Sequence, residues 1–209
     1  REEISLIAEL CEQYDVIAIT DEIYEHIRYA GGHHVLATWP GMRERTVTIS
    51  GLSKTFSCTG WRLGYAVAPA EMTSPIRKVH DFLTVGAPAP LQAAGAIGMA
   101  FGPEYYNQMA LEYRERRDAM VVALNEAGFR FSAPEGAYYI LADFTEISDL
   151  RGLEFAHWLA KEVGVATVPG TSFYSNPKMG ETVTRFAFCK KMETLERAAE
   201  RLAGISAKV

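Results

Sequence analysis

Apolar and polar positions along this chain switch between a helical period and short strand-like runs. Ile4, Ile7, Ala8 and Cys11, flanked by Leu6 and Leu10, recur at helical spacing among acids, so residues 1–14 predict an amphipathic helix. Asp15 interrupts it, and the apolar run at 16–19 predicts a strand. Further strands are expected at 47–49 and 63–67, and helices at 71–83 and 88–101, the second rich in Ala and Gly, whose small size lets helices pack closely. A long amphipathic helix follows at 103–127, with Tyr106, Met109, Tyr113, Met120 and Leu124 on a near-helical period and Arg114 to Asp118 as a solvated stretch of mixed charge. Gly128 ends it. Beyond it, 129–131, 137–144, 165–169 and 183–188 read as strands, and 153–163 and 192–202 as helices. Strands alternating with helices give an α/β fold class, and the long helix places a division near Glu115, with domains at 1–115 and 116–209.

Chemistry concentrates in TVTISGLSKTFSCTGWRLGYAVAP, residues 46–69. A β-branched run stops at Ser50, Gly51 and Ser53, which puts Lys54 just past the carboxyl end of a strand, where open α/β sheets build ligand crevices. A lone lysine there is ordinarily a solvated surface residue. Two neighbours change that reading. Arg62 follows Gly60 in a loop of small hydroxyl residues, and its planar fork suits phosphate. Upstream, Asp21 and Tyr24 close the apolar run at 16–19 and bring an acid and a phenol to a second strand end. An amine, a phosphate clamp, an aspartate and a tyrosine are the parts needed to hold a pyridoxal phosphate Schiff base.

On these residues the chain resembles the class I/II aminotransferases, fold-type I pyridoxal phosphate-dependent enzymes. The match rests on Asp21 and Tyr24 in AITDEIYEHIRY, Lys54 and Arg62 in SGLSKTFSCTGWRLGY, and Arg185 in TRFAFC. The resemblance implies that Lys54 forms the Schiff base with pyridoxal 5'-phosphate, Asp21 pairs with the pyridinium nitrogen and Tyr24 hydrogen-bonds the phenolic oxygen. It implies Arg62 on the phosphate and Arg185 on the substrate α-carboxylate. Many members carry a serine where this chain has Gly51, so Ser53 is the hydroxyl we assign to the phosphate site. Arg185 lies in an apolar run, where an unpaired guanidinium is costly, so it must meet either a protein acid or a ligand carboxylate.

The resemblance also implies the architecture: residues 1–115 as the carboxyl-terminal part of a large α/β/α sandwich with a mostly parallel sheet, and 116–209 as a small α/β domain. Opening on a crossover helix, the chain reads as the carboxyl-terminal half of the usual polypeptide. The upstream half of family members supplies an Asn-Pro turn, an aromatic that stacks on the cofactor and a Gly-rich phosphate loop. The segments at 87–90, 134–139 and 169–173 resemble those near the cofactor, the subunit boundary and the substrate, and a homodimer is implied.

Composition narrows the partners. The 209 residues hold ample apolar content for a core, and a net charge of -5 supplies no basic stripe for nucleic acid. No apolar run is long enough to span a membrane, and the charged start at Arg1-Glu2-Glu3 is not a signal peptide, which points to the cytoplasm. Cys11, Cys58 and Cys189 are odd in number and widely spaced, as suits reduced thiols. The adjacent His33 and His34 read as an exposed turn, without a metal: neighbours in an extended loop point apart, and no third ligand recurs at ligand spacing. The leading expectation is amino transfer from an L-amino acid to a 2-oxo acid. A pyridoxal phosphate-dependent C–S lyase, a regulatory cofactor-binding domain and a catalytically incomplete fragment share these residues. Tyr138, Tyr139 and Phe173 point to an apolar or aromatic donor, in the manner of kynurenine, glutamine or methionine aminotransferases.

Overall fold

The computed structural model describes residues 1–205, and the chain divides into two compact units, Arg1–Asn107 and Gln108–Val209. In the first, helix α1 (Glu2–Gln13) leads to strand β1 (Ala18–Asp21), and β2 (Thr46–Gly51) runs straight into a single helical turn, α2 (Leu52–Thr55). Strand β3 (Gly64–Val67), α3 (Ala70–Thr84), α4 (Ala89–Met99) and the start of α5 (Pro103–Glu126) follow.

Strand β1 pairs with β2 in parallel, with Asp21 opposite Ile49, and β3 adds to β2 antiparallel, with Ser50 opposite Tyr65 and Gly51 opposite Gly64. The α/β class holds, but the sheet is small and mixed where a large, mostly parallel one was expected. The cause is the β2–β3 connection: it carries only short helical turns and no crossover helix, so the chain returns alongside β2 in the opposite sense. Strand β1 also starts two residues later than the apolar run. Asp15 takes a left-handed φ of 48°, and the Val16 amide still donates to the Cys11 carbonyl, so Val16 belongs to the helix end.

Only part of the α1 stripe is used. Ala8 and Cys11 pack with Leu36 and Met42, ringed by Ile4, Ala18 and Trp39, whereas Leu6, Ile7 and Leu10 are exposed. Helix α3 buries no residue in this chain, and Phe82 is 93% exposed. Helix α4 is closely held. A Cβ at the buried Gly95 would stand 2.8 Å from a Leu63 methyl and 3.0 Å from a Leu52 methyl, and one at Gly98 would stand 3.3 Å from the Phe56 ring. The glycines thus let α4 lie directly behind the helical turn that carries Lys54.

In the second unit α5 ends at Glu126; Gly128 adopts φ 85° and the Phe129 amide donates back to the Leu124 carbonyl, the usual glycine-terminated helix end. Strand β4 (Tyr139–Asp143), helix α6 (Gly152–Trp158), the short β5 (Val168–Pro169), β6 (Val183–Ala187) and α7 (Met192–Ala203) complete it, with an antiparallel sheet ordered β4-β6-β5. The strand expected at 129–131 reduces to a bridge between Arg130 and Asp143, and α6 winds on through a π turn, Leu159–Val163. Phe144, Phe155, Phe186 and Phe188 are fully buried, and the Phe144 and Phe155 rings stack with centroids 3.7 Å apart. Among the described residues no helix is long and apolar enough to cross a membrane.

Two stability outcomes follow from this packing. Phe155→Ala should lower the denaturant midpoint of the second unit, at a cost of about 3–5 kcal/mol for a buried aromatic. Gly95→Val should cost about 1–3 kcal/mol by overpacking against Leu63 and Leu52, read as a lower melting temperature.

Candidate active site

Parallel pairing delivers the carboxyl ends of β1 and β2 to the same end of the sheet. Asp21 is the last residue of β1, and the chain then turns sharply. The Ile23 amide donates to the Asp21 carboxylate at 3.3 Å, the Glu25 amide to the Glu22 carbonyl and the Ile27 amide to the Tyr24 carbonyl. That turn raises Tyr24 beside α2. The Lys54 ammonium lies 5.9 Å from the centre of the Tyr24 ring, at the outer reach of a cation–π contact. So Asp21 and Tyr24 stand at one strand end, and Lys54 stands one helical turn beyond the neighbouring one.

The loop after α2 folds back onto it. The Cys58 thiol donates to the Leu52 carbonyl (3.3 Å) and the Thr59 hydroxyl to the Ser53 carbonyl (3.2 Å). These bonds give Cys58 a packing role and hold the loop that carries Arg62 against the Lys54 turn. Arg62 itself is exposed, with φ 52° and ψ 41°, and its guanidinium donates to the Thr59 carbonyl at 3.2 Å. A non-glycine residue in the left-handed region is uncommon and is held there only by its surroundings. Gly51 and Gly64 face each other with no room to spare: a Cβ on Gly64 would come within 2.9 Å of the Ser50 carbonyl. Behind Lys54, the Tyr105 hydroxyl donates to the Thr55 carbonyl and its ring stacks on Phe56 at 5.5 Å.

Arg185 occupies the centre of the second unit's sheet, opposite Leu141 of β4 and Val168 of β5. Its guanidinium carbon lies 4.6 Å from the Phe173 ring centre and 5.2 Å from that of Tyr139. Among the described residues no carboxylate pairs with it, and its Nε is buried without a hydrogen-bond acceptor. Aromatic faces rather than a protein acid therefore compensate its charge.

Sequence patterning missed one constellation. Glu22, Glu25 and His33 present ligand-type atoms within 4.8 Å of one another, although the two acids lie well upstream of the histidine. The His33 imidazole meets the Glu22 carboxylate at 2.6 Å, whereas His34 faces Trp39. Neighbouring histidines do point apart and both are exposed, as expected, while His33 in addition engages Glu22. Glu22 also accepts from the Thr20 hydroxyl (2.9 Å), and Glu25 from the hydroxyls of Ser50 (2.7 Å) and Tyr65 (3.1 Å). Burial pushes the Tyr65 phenol above its ordinary range; the nearby Ser50 hydroxyl opposes the shift and the Glu25 charge adds to it. Burial likewise holds the His26 imidazole below its ordinary range, against the attraction of Glu25. A groove of about 1050 Å³ is lined by Glu22, Glu25, Thr46, Thr48, Ser50 and Tyr65, but by neither Lys54 nor Asp21. Concavity alone does not locate the lysine.

A model of aminotransferase class I and II matches residues 1–202. The chain is 41% identical to methionine aminotransferase of Escherichia coli (strain K12) over 190 residues, which is 90% of this chain and 49% of that protein. It is 36% identical to kynurenine–oxoglutarate transaminase 3 of Homo sapiens over 221 residues, 96% of this chain and 48% of that protein. Among solved structures, N-succinyldiaminopimelate aminotransferase from Mycobacterium tuberculosis superposes with a TM-score of 0.93 at 35% identity, covering 98% of this chain and 53% of that one. The chain spans about half the length of the relatives it matches. With the match running through every element from α1 to α7, the chain belongs to the class I and II aminotransferase family.

Proposed function

We propose that the protein carrying this chain is a pyridoxal 5'-phosphate-dependent aminotransferase that moves an amino group from an L-amino acid to a 2-oxo acid. The family is pyridoxal phosphate-dependent. The observation that carries the reading is the approach of the Lys54 ammonium to the Tyr24 ring beside the Asp21 strand end. The donor set fits the cofactor: an amine for its aldehyde, a carboxylate for its ring nitrogen, a phenol for its ring oxygen, and a guanidinium with the Ser53 hydroxyl for its phosphate.

When bound, pyridoxal phosphate supplies an electron sink for negative charge at the amino acid's Cα. The chain's own side chains do the rest. Lys54 would hold the cofactor's aldehyde and, as a free amine, would act as the general base and acid that carries the proton to and from Cα. Asp21 keeps a proton on the ring nitrogen by offering it a full negative charge. Tyr24 donates to the phenolic oxygen. Arg185, already oriented by Phe173 and Tyr139 and left with an orphaned Nε, grips the substrate α-carboxylate. Residues 1–115 then form part of a large cofactor domain with a mostly parallel sheet, 116–209 form a small domain, and the active form is a homodimer. The names of the relatives and the apolar surroundings of Arg185 support a methionine-like or aromatic donor.

Lys54→Ala in the complete protein should abolish the absorbance of the lysine–cofactor linkage and lower kcat by at least about a thousandfold, as loss of a nucleophile and base does. Retention of both would remove Lys54 from the mechanism. Arg185→Lys should lower kcat/KM by about 10- to 100-fold through loss of bidentate carboxylate binding, while leaving cofactor absorbance intact. A screen of amino donors against 2-oxoglutarate and pyruvate identifies the substrate; release of ammonia without amine transfer would instead indicate a lyase.

A further inference from the structure

Tyr24 and Lys54 come from segments some thirty residues apart, and their mutual position depends on what ties the turn after β1 to the strand before α2. Backbone pairing does so only as far as Glu22, whose amide donates to the Ile49 carbonyl at 2.7 Å. Beyond that point the chain leaves the ladder. Ile23 packs its side chain toward Gly51, and the polar tie is made by the side chain of Glu25, adjacent to Tyr24. Its Oε1 accepts from the Ser50 hydroxyl at 2.7 Å and from the Tyr65 hydroxyl at 3.1 Å, two residues that face each other across β2 and β3.

Ser50 has one proton to give. The Glu25 carboxylate at 2.7 Å takes it in preference to the Glu22 carbonyl at 3.4 Å, because an ionised acceptor makes the shorter and stronger bond. Ser50 is itself 4% exposed, so without the carboxylate its hydroxyl would keep only the long 3.4 Å contact to the Glu22 carbonyl and whatever water the adjoining groove admits. Four residues beyond Ser50 lies Lys54. One carboxylate oxygen thus links the neighbour of Tyr24, the strand that ends in the Lys54 turn, and the strand that returns from it.

Building on the aminotransferase reading above, we propose that Glu25 is a positioning residue: its carboxylate, held by Ser50 and Tyr65, locks the Asp21–Tyr24 turn in register with Lys54. Glu25 touches no reacting atom in this role. It sets where the phenol of Tyr24 stands relative to the amine, and therefore how well both engage one cofactor.

The test uses the complete protein with pyridoxal 5'-phosphate as the probe. Glu25→Ala should weaken cofactor binding by about tenfold or more, the scale of one lost charge-assisted hydrogen bond, and shift the pH midpoint of the lysine–cofactor absorbance by about half a unit or more. In the cofactor-free protein it should speed hydrogen exchange at the Glu25 and Ile27 amides, which close the turn. Glu25→Gln, which keeps an oxygen acceptor for both hydroxyls, should stay within about threefold of the parent in binding. Tyr65→Phe and Ser50→Ala each remove one donor and should give intermediate effects, which keeps the test decisive if Glu25→Ala does not fold. A lower melting temperature for Glu25→Ala with cofactor affinity, pH midpoint and turn exchange all unchanged would overturn the proposal and leave Glu25 a stabilising residue. If the parent forms no lysine–cofactor linkage and Lys54→Ala changes nothing, the preceding functional reading falls and this proposal with it.

Discussion

The parallel pairing of β1 with β2 is the constraint on which the first unit's chemistry depends. Parallel neighbours end on the same side, so the acid that closes one strand and the helical turn that bears Lys54 after the other are delivered to one end of the sheet. The antiparallel return of β3 adds the second requirement. It brings Gly64 against Gly51 and carries the Arg62 loop back over α2, where thiol and hydroxyl bonds to the Leu52 and Ser53 carbonyls hold it. Helix α4 and the aromatic group of Phe56, Phe101 and Tyr105 close the rear. Lys54 therefore stands on a short helical turn braced on several sides.

The second unit solves a different problem, how to keep a guanidinium in the middle of a sheet. Val183 to Phe186 alternate partly and fully buried positions before the exposed Ala187, and Arg185 takes a partly buried one. Two ring faces offset the loss of water without consuming its hydrogen-bonding edge. An acid at the same place would have neutralised the arginine and removed it from use. The aromatic solution leaves the guanidinium unneutralised by any acid among the described residues.

Much of the fold was legible because its elements are local. The helices at 103–127 and 192–202 and the strand ends at Asp21 and Ser50 follow from apolar periodicity and from where it stops. The mixed sheet was not legible, since the sense of a strand depends on how its connection returns, and residues 52–63 give no period that announces it. Glu25, Ser50 and Tyr65 escaped for a related reason: they meet only once the register of β2 with β3 is known, and they are separated by 25 and 40 residues in sequence. His33 lies exposed in a loop, as its sequence suggested, but its contact with Glu22 was not legible, because spacing rules look for partners nearby and Glu22 reaches it across a folded loop. The exposure of Phe82 shows the converse, an apolar helical stripe that nothing among the described residues covers.

Arg62 illustrates how such a protein holds function and sturdiness in tension. A glycine there would adopt the same left-handed backbone at less conformational cost, yet would carry no charge to the loop. Directed evolution that rewards heat resistance alone, with no demand for turnover, would favour glycine at this position. The arginine survives in such a lineage only while its side chain is itself under selection.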